Sequence, residues 1–96
     1  MTTKQRAQLR ARANALDATV RIGKGSVTPE IIKSADEALE ANELIKLAVL
    51  NNCEIDIKEA AQTVAERTRS DVVQVVGRKF VLYRKAKEAQ HVLKPR

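Results

Sequence analysis

The chain has 96 residues, 44% of them hydrophobic and 31% charged, with a net charge of +6. That is enough chain for one hydrophobic core and too little for two, in a composition that fits a soluble globular domain. Aromatic content is 2%, namely Phe80 and Tyr83. The core is therefore aliphatic, and the low aromatic count argues against a platform of several exposed rings for stacking splayed single-stranded bases.

The charge is segregated along the chain. Residues 1–27 carry six Lys/Arg against one acid, residues 28–66 three against nine, and residues 67–96 nine against two. If the two ends meet in the fold, one surface is strongly basic and another acidic, and a basic surface of this kind is the footprint of a polyanion binder. The single cysteine, Cys53, allows no internal disulfide and fits a reducing compartment. The run Met1-Thr2-Thr3-Lys4-Gln5-Arg6 has no apolar stretch behind it, so it does not read as a signal peptide. No apolar run approaches membrane-spanning length. The expectation is a cytoplasmic, monomeric protein.

In chain order, residues 3–15 read as a helix. Leu9, Ala13 and Leu16 form an apolar stripe, and Lys4, Arg6, Arg10 and Arg12 spread over the remaining faces. The β-branched run Thr19-Val20-Arg21-Ile22 reads as a strand. Gly23-Lys24-Gly25-Ser26 follows as a tight loop. Thr28 then supplies a helix N-cap, Pro29 the first helical position and Glu30 a carboxylate at the positive dipole end. This second helix buries Ile31, Ile32, Ala35, Ala38 and Leu39 and ends near Asn42. Residues 44–50 are almost continuously apolar, the mark of a strand covered on both faces. Asp56 caps a third helix, whose face is Ile57, Ala60, Ala61, Val64, Ala65 and Thr68. Residues 71–76 and 79–83 read as two strands joined through Gly77-Arg78 at two-residue hairpin length. The tail from Arg84 to Arg96 is basic and weakly patterned, and partial order at most is expected there. The element order α-β-α-β-α-β-β predicts an α/β domain, a single two-layer sandwich on a mixed four-stranded sheet.

The glycine loop suits a phosphate. Glycine lets the backbone approach closely, the following helix aims unpaired N–H groups at the ligand, and Lys24 adds a cation. A nucleotide site is not supported. Lys24 is followed by Gly25 rather than Ser or Thr at the P-loop spacing, and only two of three dinucleotide-fingerprint glycines are present. On the loop alone an ordinary strand-to-helix turn is the better reading. Arg21 and the flanking basic segments turn the balance toward a backbone phosphate. Taken singly, Lys4, Arg6, Arg10, Arg12, Arg78, Lys79, Arg84 and Lys85 are ordinary surface charges; together they form a consistent set. No catalytic set is visible. His91 sits in the weakly patterned tail, and Cys53 lies beside Glu54 with no histidine near. Asp36, Glu37, Glu40 and Glu43 read as a solvated acidic face rather than a metal cluster. No enzyme activity, metal or cofactor is expected.

Several blocks resemble the bacterial stand-alone CRM-domain family, the YhbY-like RNA-binding proteins. They are Leu9-Arg10-Ala11-Arg12-Ala13 with Leu16, the glycine loop from Ile22 to Thr28, Glu43-Leu44-Ile45-Lys46, and Val75-Val76-Gly77-Arg78-Lys79-Phe80-Val81-Leu82-Tyr83-Arg84. The resemblance covers nearly the whole chain. It implies a fold related to the C-terminal domain of a bacterial translation initiation factor and association with precursors of the large ribosomal subunit. It also implies a Gly-x-x-Gly loop like that of KH domains, which clamps the nucleic-acid backbone. That loop maps onto Gly23, Lys24, Gly25 and Ser26, with serine where the pattern has its second glycine. A serine held at positive φ is strained, whereas its hydroxyl could donate to a phosphate or help cap the helix.

The expected activity is thus RNA binding, acting in ribosome assembly. Gly23, Gly25 and Ser26 offer N–H groups, Lys24 and Arg21 neutralise the phosphate, and the other basic residues extend the track. Large-subunit ribosomal RNA is the expected partner. An alternative is a protein-recognition adaptor that docks ribosomal proteins or assembly factors through the acidic helix around Asp36, Glu37 and Glu40. General DNA binding is a third reading.

Overall fold

A computed structural model describes residues 2–23, 27–50 and 55–85. Lys24, Gly25 and Ser26 of the glycine loop, Cys53, and everything past Lys85, including His91, lie outside the described residues. The elements are α1 (Thr3–Ala13), β1 (Ala18–Ile22), α2 (Pro29–Asn42), β2 (Leu44–Val49), α3 (Ile57–Thr68), β3 (Asp71–Val76) and β4 (Lys79–Tyr83). They follow the expected order.

The helix starts are set by side-chain caps. The Thr28 hydroxyl accepts from the Ile31 N–H at 3.2 Å with Pro29 at the first helical position, and the Asp56 carboxylate accepts from the N–H groups of Lys58 and Glu59 at 3.1 and 3.2 Å. A capping box starts α1, where Thr2 and Gln5 exchange hydrogen bonds of 2.9 and 3.1 Å. That helix ends two residues earlier than its stripe predicts. Leu16 reaches the apolar cluster from the turn that follows, where its N–H bonds to the Ala13 carbonyl at 3.0 Å.

The sheet order is β1-β2-β4-β3. β1 runs parallel to β2, and β4 is antiparallel to both β2 and β3. Two strand–helix–strand crossovers therefore share β2, and β4 folds back between β2 and β3, the strands of the second. Their helices lie on one face: α2 and α3 cover Val20, Ile22, Ile45, Leu47, Val49, Phe80 and Leu82. α1 lies on the other face, over Leu44, Val73 and Val81 with Tyr83 alongside. The expected two-layer sandwich thus describes α2, α3 and the sheet, and α1 adds a partial third layer. A stripe of only Leu9 and Ala13 covers one end of that face and leaves the other open.

The hairpin between β3 and β4 holds Gly77 at φ +61°, with Val76 paired to Lys79 across it. Glycine is the only residue without a steric cost there. An added Cβ would meet nothing within 4 Å, so Gly77→Ala isolates the backbone term. It is expected to cost about 1 kcal/mol, read as a lower urea midpoint with an unchanged m-value.

Past the end of β4, Arg84 joins three elements. Its guanidinium donates to the Asp36 carboxylate and to the Thr68 carbonyl, both at 2.7 Å, and to the Asp36 carbonyl at 3.1 Å, with Glu40 at 3.5 Å. Its own N–H bonds the Glu43 carbonyl at 2.9 Å. The side chain is 14% exposed, against 55% for Asp36. Arg84→Ala should therefore cost about 2 kcal/mol, more than Asp36→Ala, because it also strips the partner from the Thr68 carbonyl at the end of α3. Urea unfolding of the two variants checks the ranking.

Candidate nucleic-acid interface

Parity along the strands sorts the basic residues. In β2, Ile45, Leu47 and Val49 point toward α2 and α3, so Lys46 and Ala48 face the α1 side. Arg21 pairs with Ala48, Ala48 with Lys79, and Lys79 with Val76. This cross-strand row lies on the part of the face that α1 leaves open, and it carries Arg21 and Lys79 with Val76 at 63% exposure. Below the row, Lys46 pairs with Val81. A shallow depression lined by Asn14, Lys46, Gln74, Val76, Lys79 and Val81 connects the end of α1 to these two lysines. A second depression runs from Lys46 to Arg12 past Leu16 and Thr19. A third runs from Arg12 to Tyr83 and Lys85.

The result is a line of cations down one face: Arg21, Lys79, Lys46, Arg12 and Lys85. None of them has an ion-pair partner among the described residues. The acids of α2 and α3, among them Glu30, Glu37, Glu59 and Glu66, belong to helices packed on the opposite face. The acids of α2 and α3 and the line of cations thus lie on opposite sides of the sheet, with Asp17 and Asp71 the acids that border the depressions.

Gly23 leaves the end of β1 beside the ends of the neighbouring strands. The Ile22 carbonyl accepts from the Leu50 N–H at 2.8 Å, and the Arg78 carbonyl accepts from the Val49 N–H at 2.7 Å. The starts of α2 and α3 come to this same end of the sheet, because each follows a strand that finishes there. The two differ as anion sites. Asp56 puts a carboxylate on the donors of α3, whereas α2 begins with the neutral Thr28. Glu30 in the first turn of α2 offsets part of its field.

Three of the expected contact residues are committed to the fold instead. Arg6 donates to the Val72 and Val73 carbonyls at 2.6 and 3.1 Å, where a bulge in β3 leaves two neighbouring acceptors on an edge strand. Arg78 donates to the Val49 and Leu50 carbonyls at 3.0 and 2.6 Å, holding the end of β2. Arg84 forms the clamp described above. It also draws on Asp36 and Glu40, two of the three carboxylates that the adaptor reading requires. Lys4 and Arg10 are exposed on α1. Arg10 and Arg12, two positions apart on a 3.6-residue helix, leave on opposite flanks, and only Arg12 borders the depressions.

Lys46 is the member of the line that charge counting missed. It is one lysine inside an apolar strand, half-buried, with its stem along the sheet. Its signal in the sequence is parity with Leu44, set against Ile45 and Leu47. Among the described residues no group of His, Cys, Asp and Glu could hold a metal ion, and no helix is long and apolar enough to cross a membrane.

The CRS1 / YhbY (CRM) domain model matches residues 1–84. A Bacillus subtilis protein described as "Probable RNA-binding protein YqeI" is 42% identical over 95 residues, 99% of each chain. A Haemophilus influenzae protein described as "RNA-binding protein" is 29% identical over 90 residues, covering 94% of this chain and 91% of that one. The solution structure of the hypothetical protein SAV1595 from Staphylococcus aureus superposes with a TM-score of 0.78 at 46% identity, covering 91% of both chains. The chain belongs to the CRS1/YhbY (CRM) domain family.

The two kinds of cation separate experimentally. Lys46→Gln and Lys79→Gln should change stability by less than about 0.5 kcal/mol and lower the salt at which the protein leaves an immobilised polyanion such as heparin. Arg6→Gln should lower the urea midpoint, with a smaller effect on elution.

Proposed function

We propose that this protein binds RNA through the α1 side of its sheet, and that its RNA partner in the cell is ribosomal RNA in precursors of the large subunit. The observation that carries the first part is the line Arg21, Lys79, Lys46, Arg12 and Lys85, a track of unpaired cations ending beside Gly23. The described relatives support the same reading, since those from Bacillus and Haemophilus are named as RNA-binding proteins. A polyphosphate chain is the ligand that such a track fits. It supplies repeated negative charge at a spacing that flexible Lys and Arg side chains can follow, and the protein supplies cations at no cost in broken ion pairs.

In this reading the glycine loop, with Lys24, receives one phosphate at the end of the sheet and the track receives those that follow. Arg6, Arg78 and Arg84 act by holding the strands and helices that carry it. Association with large-subunit precursors and a role in ribosome assembly come from the family resemblance, and a cytoplasmic location from the single cysteine and the lack of a signal-like apolar run in the sequence.

If five phosphates are neutralised, the logarithm of affinity for single-stranded RNA should fall with the logarithm of salt at a slope of about −3.5. Lys46→Ala should reduce that slope by about 0.7. Fluorescence anisotropy over a salt series measures both, and a flat titration would sink the mechanism. Unchanged RNA binding in a Lys24→Ala, Arg12→Ala double variant would remove those two residues from it. Crosslinking and sequencing of RNA bound in cells tests the partner. Enrichment of large-subunit ribosomal RNA is expected, and an even spread over all RNA contradicts it.

A further inference from the structure

A broad depression lies at the end of the sheet away from Gly23, between α1 and the end of β4. Its volume is about 690 Å³ and it is lined in part by Gln5, Gln8, Leu9, Arg12, Tyr83 and Lys85. A backbone track needs only charge, and most of these residues are not charged. Leu9 and Tyr83 belong to the apolar cluster under α1 and give the groove an apolar floor. Gln5 and Gln8 fall on the Arg12 flank of the helix and place two carboxamides on one wall. Asp71, paired across the strands with Tyr83, places a carboxylate at the other. Arg12 and Lys85 supply the positive charge. Strand parity explains the composition. Tyr83 and Lys85 fall on the α1 side, and the residue between them, Arg84, turns to the Asp36 clamp.

From this arrangement we infer that the groove seats one unstacked nucleobase, with its phosphate held by Arg12 and Lys85. The inference rests on the RNA-binding reading and adds a base-reading site to it. A half-buried ring backed by a packed cluster offers a flat apolar surface to the π-face of any base. The carboxamides and the carboxylate can then meet the base edge: an amide gives a donor–acceptor pair, and a carboxylate accepts from exocyclic amino groups. The volume falls within the range of sites that enclose small organic ligands. One ring serves one base, so the scarcity of aromatics limits the number of bases read and leaves room for this single one. The charge settles the class of occupant: two unpaired cations over an apolar floor complement a base that carries a phosphate.

Wild-type protein is titrated with adenosine, cytidine, guanosine and uridine 5′-monophosphates and with ribose 5-phosphate, observed by NMR at the side-chain amides of Gln5 and Gln8 and the ring of Tyr83. The nucleotides should shift these signals and ribose 5-phosphate should not. Equal shifts with ribose 5-phosphate would make the groove a bare phosphate site and overturn the proposal. Separately, a single-stranded RNA decamer is compared with the same decamer made abasic at every position, which keeps the phosphate charge. Tyr83→Leu should weaken the base-bearing decamer about tenfold and leave the abasic one unchanged, and Tyr83→Phe should restore binding. If wild type binds both decamers equally, the base seat is refuted while RNA binding along the track stands. If neither decamer binds, both readings fall.

Discussion

Everything on the two faces of this domain depends on the double burial of β2. The strand lies in the middle of the sheet, between β1 and β4, and its alternate side chains serve two different layers. Ile45, Leu47 and Val49 complete the core under α2 and α3. Leu44 completes the smaller cluster under α1. Burial on both sides fixes the register, because a slip of one residue would exchange the two sets. It also fixes where Lys46 points. A lysine on the other parity would put its charge into the aliphatic core. On this one its stem lies along the sheet and its ammonium joins the outer cations.

The basic residues divide by chemistry as well as by place. Those bonded to the fold, Arg6, Arg78 and Arg84, are all arginines, and each spans two or more oxygen acceptors at the end or edge of a strand or helix. A planar fork with five donors suits that work, and an ammonium does not. Lys46, Lys79 and Lys85, with Arg12 and Arg21, remain on the α1 side. The net charge therefore overstates the charge available to a ligand. What matters is how many cations are left after the carbonyls and carboxylates of the fold have taken theirs.

The element boundaries were legible because their causes are local. Thr28-Pro29, Asp56 and Gly77 act on neighbouring backbone, and their roles follow from residue type and spacing. The position of α1 was not legible. Its apolar stripe is short, and periodicity says which face of a helix is buried but not against which face of a sheet. The fate of the arginines was hidden for a related reason. Arg6 meets carbonyls 66 and 67 residues away, and Arg84 meets a carboxylate 48 residues away, so no local pattern marks them. Lys46 could have been found by applying strand parity within the apolar run, where overall hydrophobicity conceals a single outward charge.

Arg84 and Lys85 carry this a step further. They are adjacent and equally charged, yet one holds the acidic helices and the other lines the basic groove. Their roles are assigned by odd and even position alone. In terms of protein engineering, composition is then the wrong quantity to preserve. A graft that kept every basic residue but removed one position from β4 would exchange the two sides of that corner. It would turn Arg84 into the groove, carry Tyr83 to the face of α2 and α3, and offer Asp36 an ammonium in place of the guanidinium fork.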